Sequence, residues 1–419
     1  MKAAMNPELT EAIRWFTRET EIMSGMLLAC GAGDRTEYAI DGEVREDSVF
    51  DLASLTKLFT GLCAMKMKEE GLLDISRSVF SYDPRFRFLR EVTVEQIMSF
   101  TRELRTPGRV DTCRSREEAL ECLFGTVSVG EPKGKAYSDI PSMVLKYVLE
   151  AAGSMPFMDC VRKTVLEPAG MKETWARVPE ERIGDCMSYD GEYRIEGEKR
   201  IHRTGLKPGI PHDPKAAILQ HGTEDLCGHA GLFSTGGDMV RFCRAVLEEK
   251  IVGRTSLREM AVNRTGYQRE DGTYTQYLGY QCYVRHPQQY YSEIPRYMGR
   301  QAFGNAGFAG NHLSVDPEHG SFTLFLGNRV KNRLTVLLPE AGKTLEDYGL
   351  NADGSGKYLW RNEDGTSVLI PSSVKYVHQK DEHLHRVVAK VLGLEEIPFE
   401  EELRVKSGEF FQSGEKLSI

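Results

Sequence analysis

Residues 50–60 read Phe-Asp-Leu-Ala-Ser-Leu-Thr-Lys-Leu-Phe-Thr and place Ser54 and Lys57 in a Ser-x-x-Lys pattern. If a turn leads into a helix at Ser54, the two side chains lie on one helical face. A neutral lysine amine beside a serine hydroxyl can take its proton and make it a nucleophile. The helix N-terminus is expected to lower the pKa of Lys57, and its free N–H groups can hold an oxyanion. The stretch therefore predicts a nucleophilic serine at the start of a helix.

An apolar stripe at helical spacing indicates the helix that follows Ser54. Its members are Leu55, Leu58, Phe59, Leu62 and Met65. Gly71 is the expected stop signal. The simpler interpretation of Ser54 is a helix N-cap. The same pattern recurs at Ser372/Lys375 and Ser413/Lys416, in polar surroundings where we expect it by chance.

The composition is typical of a globular protein with a sizeable core. The chain has 419 residues, of which 40% are hydrophobic and 28% charged, and its net charge is -8. It contains no basic block and no stretch of 18 apolar residues, so neither a nucleic-acid partner nor a membrane span is expected. Nine cysteines occur without a Cys-x-x-Cys pair, and no signal-peptide core is visible. We expect free thiols and a cytoplasmic location, while removal of an N-terminal segment and the oligomeric state stay open.

The remaining periodicities predict strands at both ends of the chain and helices between them. The expected helices are 6–19, 93–100, 116–124, 141–152, 237–250 and 376–392. The expected strands are 25–31, 37–42, 280–284, 313–315 and 322–326, the last two forming a hairpin around 317–320. Residues 191–214 are polar and rich in Gly and Pro, which is typical of a loop.

These elements predict an α/β (α+β) fold. An antiparallel sheet is built from both chain ends, 1–53 and 270–419, and is flanked by helices. A mostly helical part, 54–269, is inserted between them. We expect a single catalytic domain over 1–419, with its active site in the cleft between sheet and helical part. Residues 331–375 form a polar insertion to which the sequence assigns no role.

A second motif, Ala-Tyr137-Ser-Asp139, directly precedes the helix expected at 141–152. A tyrosine phenol near a lysine ammonium can lose its proton below its usual pKa of about 10 and act as a base. Asp139 is expected to orient Lys57 or to hydrogen-bond a substrate. The simpler interpretations are a loop aromatic for Tyr137 and a helix N-cap for Asp139.

Two glycine-rich motifs follow. Residues 228–235, Gly-His-Ala-Gly-Leu-Phe-Ser-Thr, precede a helix, and His229 within them is interpreted as structural rather than as a base. Residues 303–310, Phe-Gly-Asn-Ala-Gly-Phe-Ala-Gly, precede a strand, and their glycines indicate either a close backbone approach or a bulge. On the first interpretation, a strand edge there lets the Phe308 N–H donate to an oxyanion.

No cofactor and no metal site is predicted. His378, His383 and His385 lack a Cys or carboxylate cluster at ligand spacing, so a solvated helix face is expected there. The chain contains neither a glycine-rich phosphate loop nor a dinucleotide fingerprint.

The three motifs, in this order, resemble the serine β-lactamase and penicillin-binding-protein superfamily, in which Ser-x-x-Lys is a signature. The tyrosine of the second motif is similar to the Tyr-x-Asn of the class C β-lactamase and esterase branch. Phrases such as FDLASLTKLFTG, GHAGLFSTGGDMVRF and FGNAGFAGNHLSVDP carry the resemblance over roughly residues 20–330. The resemblance implies a β-lactamase/transpeptidase-like fold, in which the helix at 376–392 packs on the sheet.

Carried over residue by residue, the resemblance implies a role for each motif. Ser54 resembles the acylated nucleophile, and Lys57 resembles its proton acceptor. Tyr137 resembles the second base, which protonates the leaving group and activates water. The N–H groups of Ser54 and Phe308 would form the oxyanion hole. The substrate-binding and oxyanion positions are Asp139, Asn305, Gly307 and Phe308.

Two positions depart from the family pattern. Asp139 stands where the family usually has Asn, which makes the site more acidic. Asn305-Ala306-Gly307 stands where β-lactamases have Lys-Thr-Gly and many esterases and peptidases have His-Thr-Gly. The lysine that pairs with a β-lactam carboxylate is missing, and so is the threonine hydroxyl. We therefore expect poor penicillin turnover and a neutral ester or amide acyl group.

Three functions stay open at this point. The first is a serine hydrolase that cleaves a small-molecule ester or amide through an acyl-enzyme. The second is a true β-lactamase or D-amino-acid peptidase, against which the missing Lys-Thr-Gly weighs. The third is a non-catalytic binding protein on the same fold. Against the third weighs the presence of Ser54, Lys57 and Tyr137 together.

Overall fold

The computed structural model describes residues 4–133, 135–220, 222–288, 293–337, 345, 357–362 and 364–398. The strands are β1 (Gly25–Ala32), β2 (Arg35–Gly42), β3 (Val49–Asp51), β4 (Glu103–Arg105), β5 (Val127–Gly130), β6 (Thr174–Trp175), β7 (Glu192–Glu196), β8 (Lys199–Arg203), β9 (Phe233–Thr235), β10 (Tyr283–Val284), β11 (Phe303–Gly307), β12 (Asn311–Asp316), β13 (Ser321–Gly327), β14 (Leu334–Leu337), β15 (Lys357–Arg361) and β16 (Ser367–Pro371).

The helices that the sequence predicted begin and end close to the expected positions, and several shorter helices accompany them. They are α1 (Pro7–Arg14), α2 (Thr56–Glu69), α3 (Val79–Tyr82), α4 (Val94–Met98), α5 (Arg116–Phe124), α6 (Ile140–Gly153), α7 (Phe157–Val161), α8 (Glu167–Ala169), α9 (Pro214–Leu219), α10 (Gly236–Leu247), α11 (Arg254–Met260), α12 (Tyr376–Gln379) and α13 (Arg386–Leu392). Segments of π-helix continue α1, join α7 to α8 and join α12 to α13 at Trp15–Glu19, Arg162–Leu166 and Lys380–His385. Short 3-10 turns occur at Ala53–Leu55, Val110–Thr112 and Glu180–Asp185.

The main sheet draws its strands from both ends of the chain, which confirms the predicted fold class. It has six strands in the order β10-β11-β12-β13-β1-β2, and every neighbouring pair is antiparallel. Four smaller sheets accompany it, and three of them, β14-β7-β8, β3-β9-β6 and β4-β5, include strands from the part expected to be mostly helical.

Helices cover both faces of the main sheet. Strand β1 carries apolar side chains on both faces, and each face packs against helices. Leu27 and Ala29 belong to the same apolar cluster as the buried residues of α2 and α10. Met26 and Leu28 point to the opposite face and join a cluster with residues of α1 and of the helix 376–392. The predicted packing of this last helix on the sheet is confirmed, and α2 lies in the interior of the protein.

Residues 191–214 were expected to be a loop, and this expectation is wrong. They contain the hairpin β7–β8, and β7 pairs in parallel with β14. The hydrophobic pattern missed the hairpin because its buried side chains include charged ones, Glu192 and Arg194. Part of the segment 331–375 is likewise ordered as β14, β15 and β16. The polar sequence of this segment also predicts turns at Gly354 and Gly356, which lie outside the described residues.

Glu192 is the centre of a buried ion cluster that holds the hairpin against the rest of the protein. Its side chain is fully buried and contacts Arg194 at 2.8 Å, Arg203 at 3.1 Å and His212 at 3.0 Å. Burial by itself raises the pKa of Glu192. The contacts with His212 and Arg194 lower this pKa by more than burial raises it, so it lies well below its usual range. The group therefore stays ionised in the folded protein.

We expect Glu192→Gln to lower the free energy of unfolding by about 3 kcal/mol at neutral pH, because it leaves buried cations without their counter-charge. A carboxyl group whose pKa is depressed by folding stabilises above its unfolded pKa of about 4.3 and loses that contribution as pH falls. The difference from wild type should therefore shrink on acidification. Urea unfolding at several pH values measures both effects.

The control is Glu103→Gln, which removes a carboxylate from an ion pair whose Arg105 partner is two-thirds exposed. Because exposed pairs are screened by solvent, a change below about 1 kcal/mol is expected there. An equal loss in the two variants would contradict the role assigned to the buried cluster.

Two further expectations concern the exposure of His385 and the state of the cysteines. His385 was expected on a solvated helix face, but it is 4% exposed, because its ring packs against His312 and Phe325 of the main sheet. All nine cysteines are free thiols. Among the described helices, none combines the length and apolarity that crossing a membrane requires.

Candidate active site

Ser54 lies in the 3-10 turn between β3 and α2, as the sequence predicted. Lys57 Nζ donates a hydrogen bond to Ser54 Oγ at 2.9 Å, so the two groups are in contact. Ser54 is half-buried, whereas Lys57 is fully buried. Leu52 occupies the N-cap position of this turn and no side chain caps it, so the interpretation of Ser54 as a simple N-cap is wrong.

The turn is held in an unusual backbone conformation by Asp51. Ala53, directly before Ser54, has a φ of 47°, a left-handed value that costs a non-glycine residue energy. Its N–H donates to Asp51 Oδ1 at 2.9 Å, and the N–H of His212 donates to Asp51 Oδ2 at 2.7 Å. The sequence gives no signal for this role of Asp51, because an acidic residue in a turn is common.

The predicted close backbone approach occurs at Gly307. A Cβ atom there would lie 2.8 Å from Leu52 O, so only glycine allows β11 to approach the Ser54 turn this closely. Asn311 Nδ2 donates to Asp51 O at 2.7 Å and fastens β12 to the same turn. Within the described ranges, β10 pairs with β11 only at Phe303 and Gly304. The part of β11 that follows Gly304 therefore has no neighbouring strand on this side among the described residues, and its edge is open.

Tyr137 lies between Lys57 and β11. Its hydroxyl donates to Asn305 Oδ1 at 3.2 Å, and Lys57 Nζ lies 4.8 Å from the centre of its ring. Tyr283 stacks on the ring at a centroid distance of 5.0 Å, and Phe100 packs at 5.5 Å. These contacts fix the phenol, which is therefore not a free loop aromatic.

Asp139 does not cap its helix with its side chain. One carboxylate oxygen accepts from Lys57 Nζ at 2.8 Å and the other contacts Lys215 Nζ at 3.2 Å. Lys215 also contacts Asp213 at 3.0 Å, and Asp213 contacts His229 at 2.9 Å. His229 O accepts from Lys57 Nζ at 3.3 Å and closes the ring of contacts. The sequence predicted the contact between Asp139 and Lys57, but it gave no signal for Lys215 or Asp213.

The expectation that the pKa of Lys57 is lowered is wrong. Burial lowers it, but the carboxylate of Asp139 and the phenol of Tyr137 raise it by more, so the pKa lies above its usual value. Burial raises the pKa of Asp139, but the positive charge of Lys57 and, next in size, that of Lys215 lower it to well below its usual range. The resting site therefore holds an ammonium and a carboxylate in contact.

Asp139, Asp213 and His229 lie close enough together to be considered as cation ligands. However, Lys57 and Lys215 already contact the two carboxylates within hydrogen-bonding distance. The two ammonium groups therefore balance the charges of the two carboxylates. The arrangement fits a network of ion pairs better than a metal site.

These elements border a cavity of about 660 Å³ between the sheet and the helical part. Ser54, Tyr137, Asp139, Gly307 and Phe308 line it, while Lys57 and Asn305 lie buried behind the wall. The structure thus brings all seven predicted site residues to one place. A larger cavity of about 940 Å³ elsewhere contains none of them.

The beta-lactamase family model matches residues 14–341. The chain belongs to the beta-lactamase family. It is a hydrolase of the serine beta-lactamase fold. The recognition from the ordered sequence motifs is thereby confirmed.

Relatives within the beta-lactamase family have several activities. A Salmonella gallinarum protein named "Putative D-alanyl-D-alanine carboxypeptidase" is 26% identical over 313 residues, which cover 68% of this chain and 70% of the relative. Among solved structures, the hydrolase EstCE1, with promiscuous acyltransferase activity, is 17% identical, with a TM-score of 0.60 and coverage of 77% and 92%. A class C beta-lactamase from Rhodobacter sphaeroides is 16% identical, with a TM-score of 0.57 and coverage of 77% and 94%. The structural likenesses establish the fold.

Proposed function

We propose that this protein cleaves an ester or amide bond through an acyl-enzyme formed on Ser54. The observation that carries the proposal is the contact of Lys57 Nζ with Ser54 Oγ at 2.9 Å, beside Tyr137 and the open edge of β11. A serine hydroxyl, a lysine amine and a phenol in one cavity supply a nucleophile and two proton carriers.

In acylation, Ser54 Oγ attacks the carbonyl carbon of the substrate and passes its proton to the neutral amine of Lys57. The oxyanion that forms accepts hydrogen bonds from the N–H groups of Ser54, in the turn before α2, and of Phe308, which directly follows β11. Lys57 returns the proton through Tyr137 to the leaving group as the carbonyl carbon releases it. A water molecule then attacks the acyl carbon and passes a proton through Tyr137 to the neutral amine of Lys57. Lys57 gives this proton to Ser54 Oγ as the bond between Oγ and the acyl carbon breaks, which restores Ser54.

Burst kinetics with 4-nitrophenyl hexanoate test this proposal. If an acyl-enzyme accumulates, the first turnover releases about one nitrophenolate per protein, followed by slower steady turnover. Benzylpenicillin and a D-alanyl-D-alanine peptide are assayed in parallel. Hydrolysis of the ester with poor turnover of both others supports the proposal. Rapid turnover of either of the others instead favours a β-lactamase or a peptidase. No turnover of any of the three by folded protein favours a non-catalytic binding protein.

The raised pKa of Lys57 leads to a second test of the mechanism. Acylation needs the neutral amine, so its rate should rise with pH as Lys57 deprotonates in the alkaline range. Asp139→Asn removes the charge that raises this pKa and leaves the burial that lowers it. We therefore expect the alkaline limb of the acylation profile to move to lower pH in this variant.

Asp111→Asn is the matched control, because Asp111 lines the same cavity but its carboxylate contacts Arg109. Its pH profile should coincide with that of wild type. If Asp139→Asn leaves the profile unchanged or moves it to higher pH, Lys57 is not the titrating base.

A further inference from the structure

Arg329 follows β13 and lines the cavity that contains Ser54. Its Nε donates to Phe308 O at 2.7 Å, and its backbone N–H donates to Ala309 O at 2.9 Å. Its guanidinium carbon lies 4.8 Å from the ring centre of Phe308 and 5.7 Å from that of Tyr376. Backbone and ring contacts therefore hold the guanidinium in one orientation.

Among the described residues, no cavity carboxylate forms an ion pair with Arg329, and Glu293 acts on it only from a greater distance. The cavity carboxylates belong to Asp111, Asp139, Glu196, Asp213 and Glu293, and each of them contacts a cation other than Arg329. Among the described residues, none accepts a hydrogen bond from the two terminal nitrogens of Arg329. Burial lowers the pKa of this guanidinium, and Tyr376 and more distant carboxylates offset the effect only in part. An anion placed there would therefore be favoured.

The position of Arg329 along β11 indicates which part of a substrate it would meet. Tyr137 contacts Asn305, at the end of the open edge where the mechanism above places the leaving group. Phe308, which Arg329 contacts, is three residues further along the chain and directly follows β11. A carbonyl carbon held between Ser54 and the Phe308 N–H therefore directs its leaving group toward Tyr137. Its acyl chain then extends toward Arg329.

We propose that the acyl part of the substrate carries a carboxylate that binds Arg329. The proposal rests on the function proposed above and replaces the expectation of a neutral acyl group. A planar guanidinium whose two terminal nitrogens have no acceptor in the described part of the chain matches a carboxylate in a bidentate arrangement. A carboxylate at this position would supply the counter-charge that Arg329 lacks within hydrogen-bonding distance. The substrate class is thus a monoester or monoamide of a dicarboxylic acid.

The test compares mono-4-nitrophenyl adipate with 4-nitrophenyl hexanoate, which share the leaving group and the number of acyl carbons. We expect wild type to prefer the adipate ester in kcat/KM by about 10- to 100-fold, and the preference to fall as ionic strength rises. Arg329→Gln keeps a hydrogen-bond donor near Phe308 O but removes the charge. It should raise KM for the adipate ester by about the same factor, with kcat little changed, and leave the hexanoate ester within about twofold.

Lys135→Met is the matched control, because Lys135 is an exposed cation that lines the same cavity. It should leave the preference for adipate unchanged. Loss of the preference in Lys135→Met but not in Arg329→Gln would overturn the assignment to Arg329, as would an equal loss on both esters in Arg329→Gln. Wild type that hydrolyses hexanoate without preferring adipate overturns this inference alone. Wild type that hydrolyses neither ester overturns the proposed function and this inference with it.

Discussion

Ser54→Ala is expected to reduce hydrolysis of 4-nitrophenyl hexanoate by at least about 10⁴-fold in kcat/KM. Without the hydroxyl no acyl-enzyme forms, and the remaining oxyanion donors accelerate only direct attack by water. The burst of nitrophenolate should disappear together with steady turnover. Because Ser54 is half-buried and caps no helix, the alanine variant should fold and melt like wild type. Stopped-flow absorbance and thermal melting of the same preparations measure both.

The chain provides a matched control in its second Ser-x-x-Lys copy. Ser372 Oγ accepts a hydrogen bond from the N–H of Val374 at 3.2 Å, and Ser372 is not among the residues lining the cavity. Ser372→Ala should therefore keep activity within about twofold of wild type. Residual turnover in Ser54→Ala near the wild-type rate would show that another group carries the reaction.

Lys57→Met is expected to lower kcat by about 10³-fold or more, since general acid–base catalysis typically contributes 10²- to 10⁴-fold. The substitution keeps the apolar stem and removes the amine that contacts Ser54 Oγ. It also leaves Asp139 with Lys215 as its remaining ion-pair partner, so some loss of stability is expected as well. Single-turnover kinetics on folded protein separate the two effects, because the loss should appear in acylation.

Lys146→Met controls for the removal of a buried lysine. Lys146 is 2% exposed and contacts Glu150 at 3.1 Å, so its loss should also destabilise the protein. It is not among the residues lining the active-site cavity, and its activity per folded molecule should match wild type. Equal activity losses in the two lysine variants would assign the effect to stability and not to proton transfer.

The sequence predicted those parts of the structure that follow from local patterns. The stripe from Leu55 to Met65 and the stop at Gly71 set the course of α2, and Gly71 indeed has a φ of 71°. The alternation in 313–326 predicted the hairpin of β12 and β13. The glycine at 307 marked a backbone approach that a Cβ atom would prevent. The first two features depend on residues close together in the chain, and the third was signalled by the residue type at one position, although its partner, Leu52, is distant in the chain.

The features that the sequence missed depend on contacts between distant segments. Lys215 contacts Asp139, 76 positions away in the chain, and no spacing rule connects the two. The hairpin β7–β8 was missed because the buried side chain of Glu192 is matched by charges and not by an apolar stripe. The pKa of Lys57 was predicted in the wrong direction because the helix end was considered without the carboxylate that contacts the amine. Ion pairs of this kind appear only when the segments are folded together.

The network around Asp139 also changes how the site is expected to respond to pH. The family pattern places a neutral amide where this chain has a carboxylate. Here that carboxylate contacts both Lys57 and Lys215, so the resting state of the base is charged. With Lys57 as the proposed base, activity is therefore expected to be greatest in the alkaline range, and Asp139 is expected to set this pH dependence.

The most direct test of the account is to locate the covalent adduct. Wild type and Ser54→Ala are treated briefly with a fluorophosphonate and with 4-nitrophenyl hexanoate, and the intact mass and the labelled peptide are determined. The account predicts one adduct per wild-type chain on the peptide that contains Ser54, and no adduct on Ser54→Ala. An adduct on another residue, equal labelling of both proteins, or no labelling of folded wild type would contradict it.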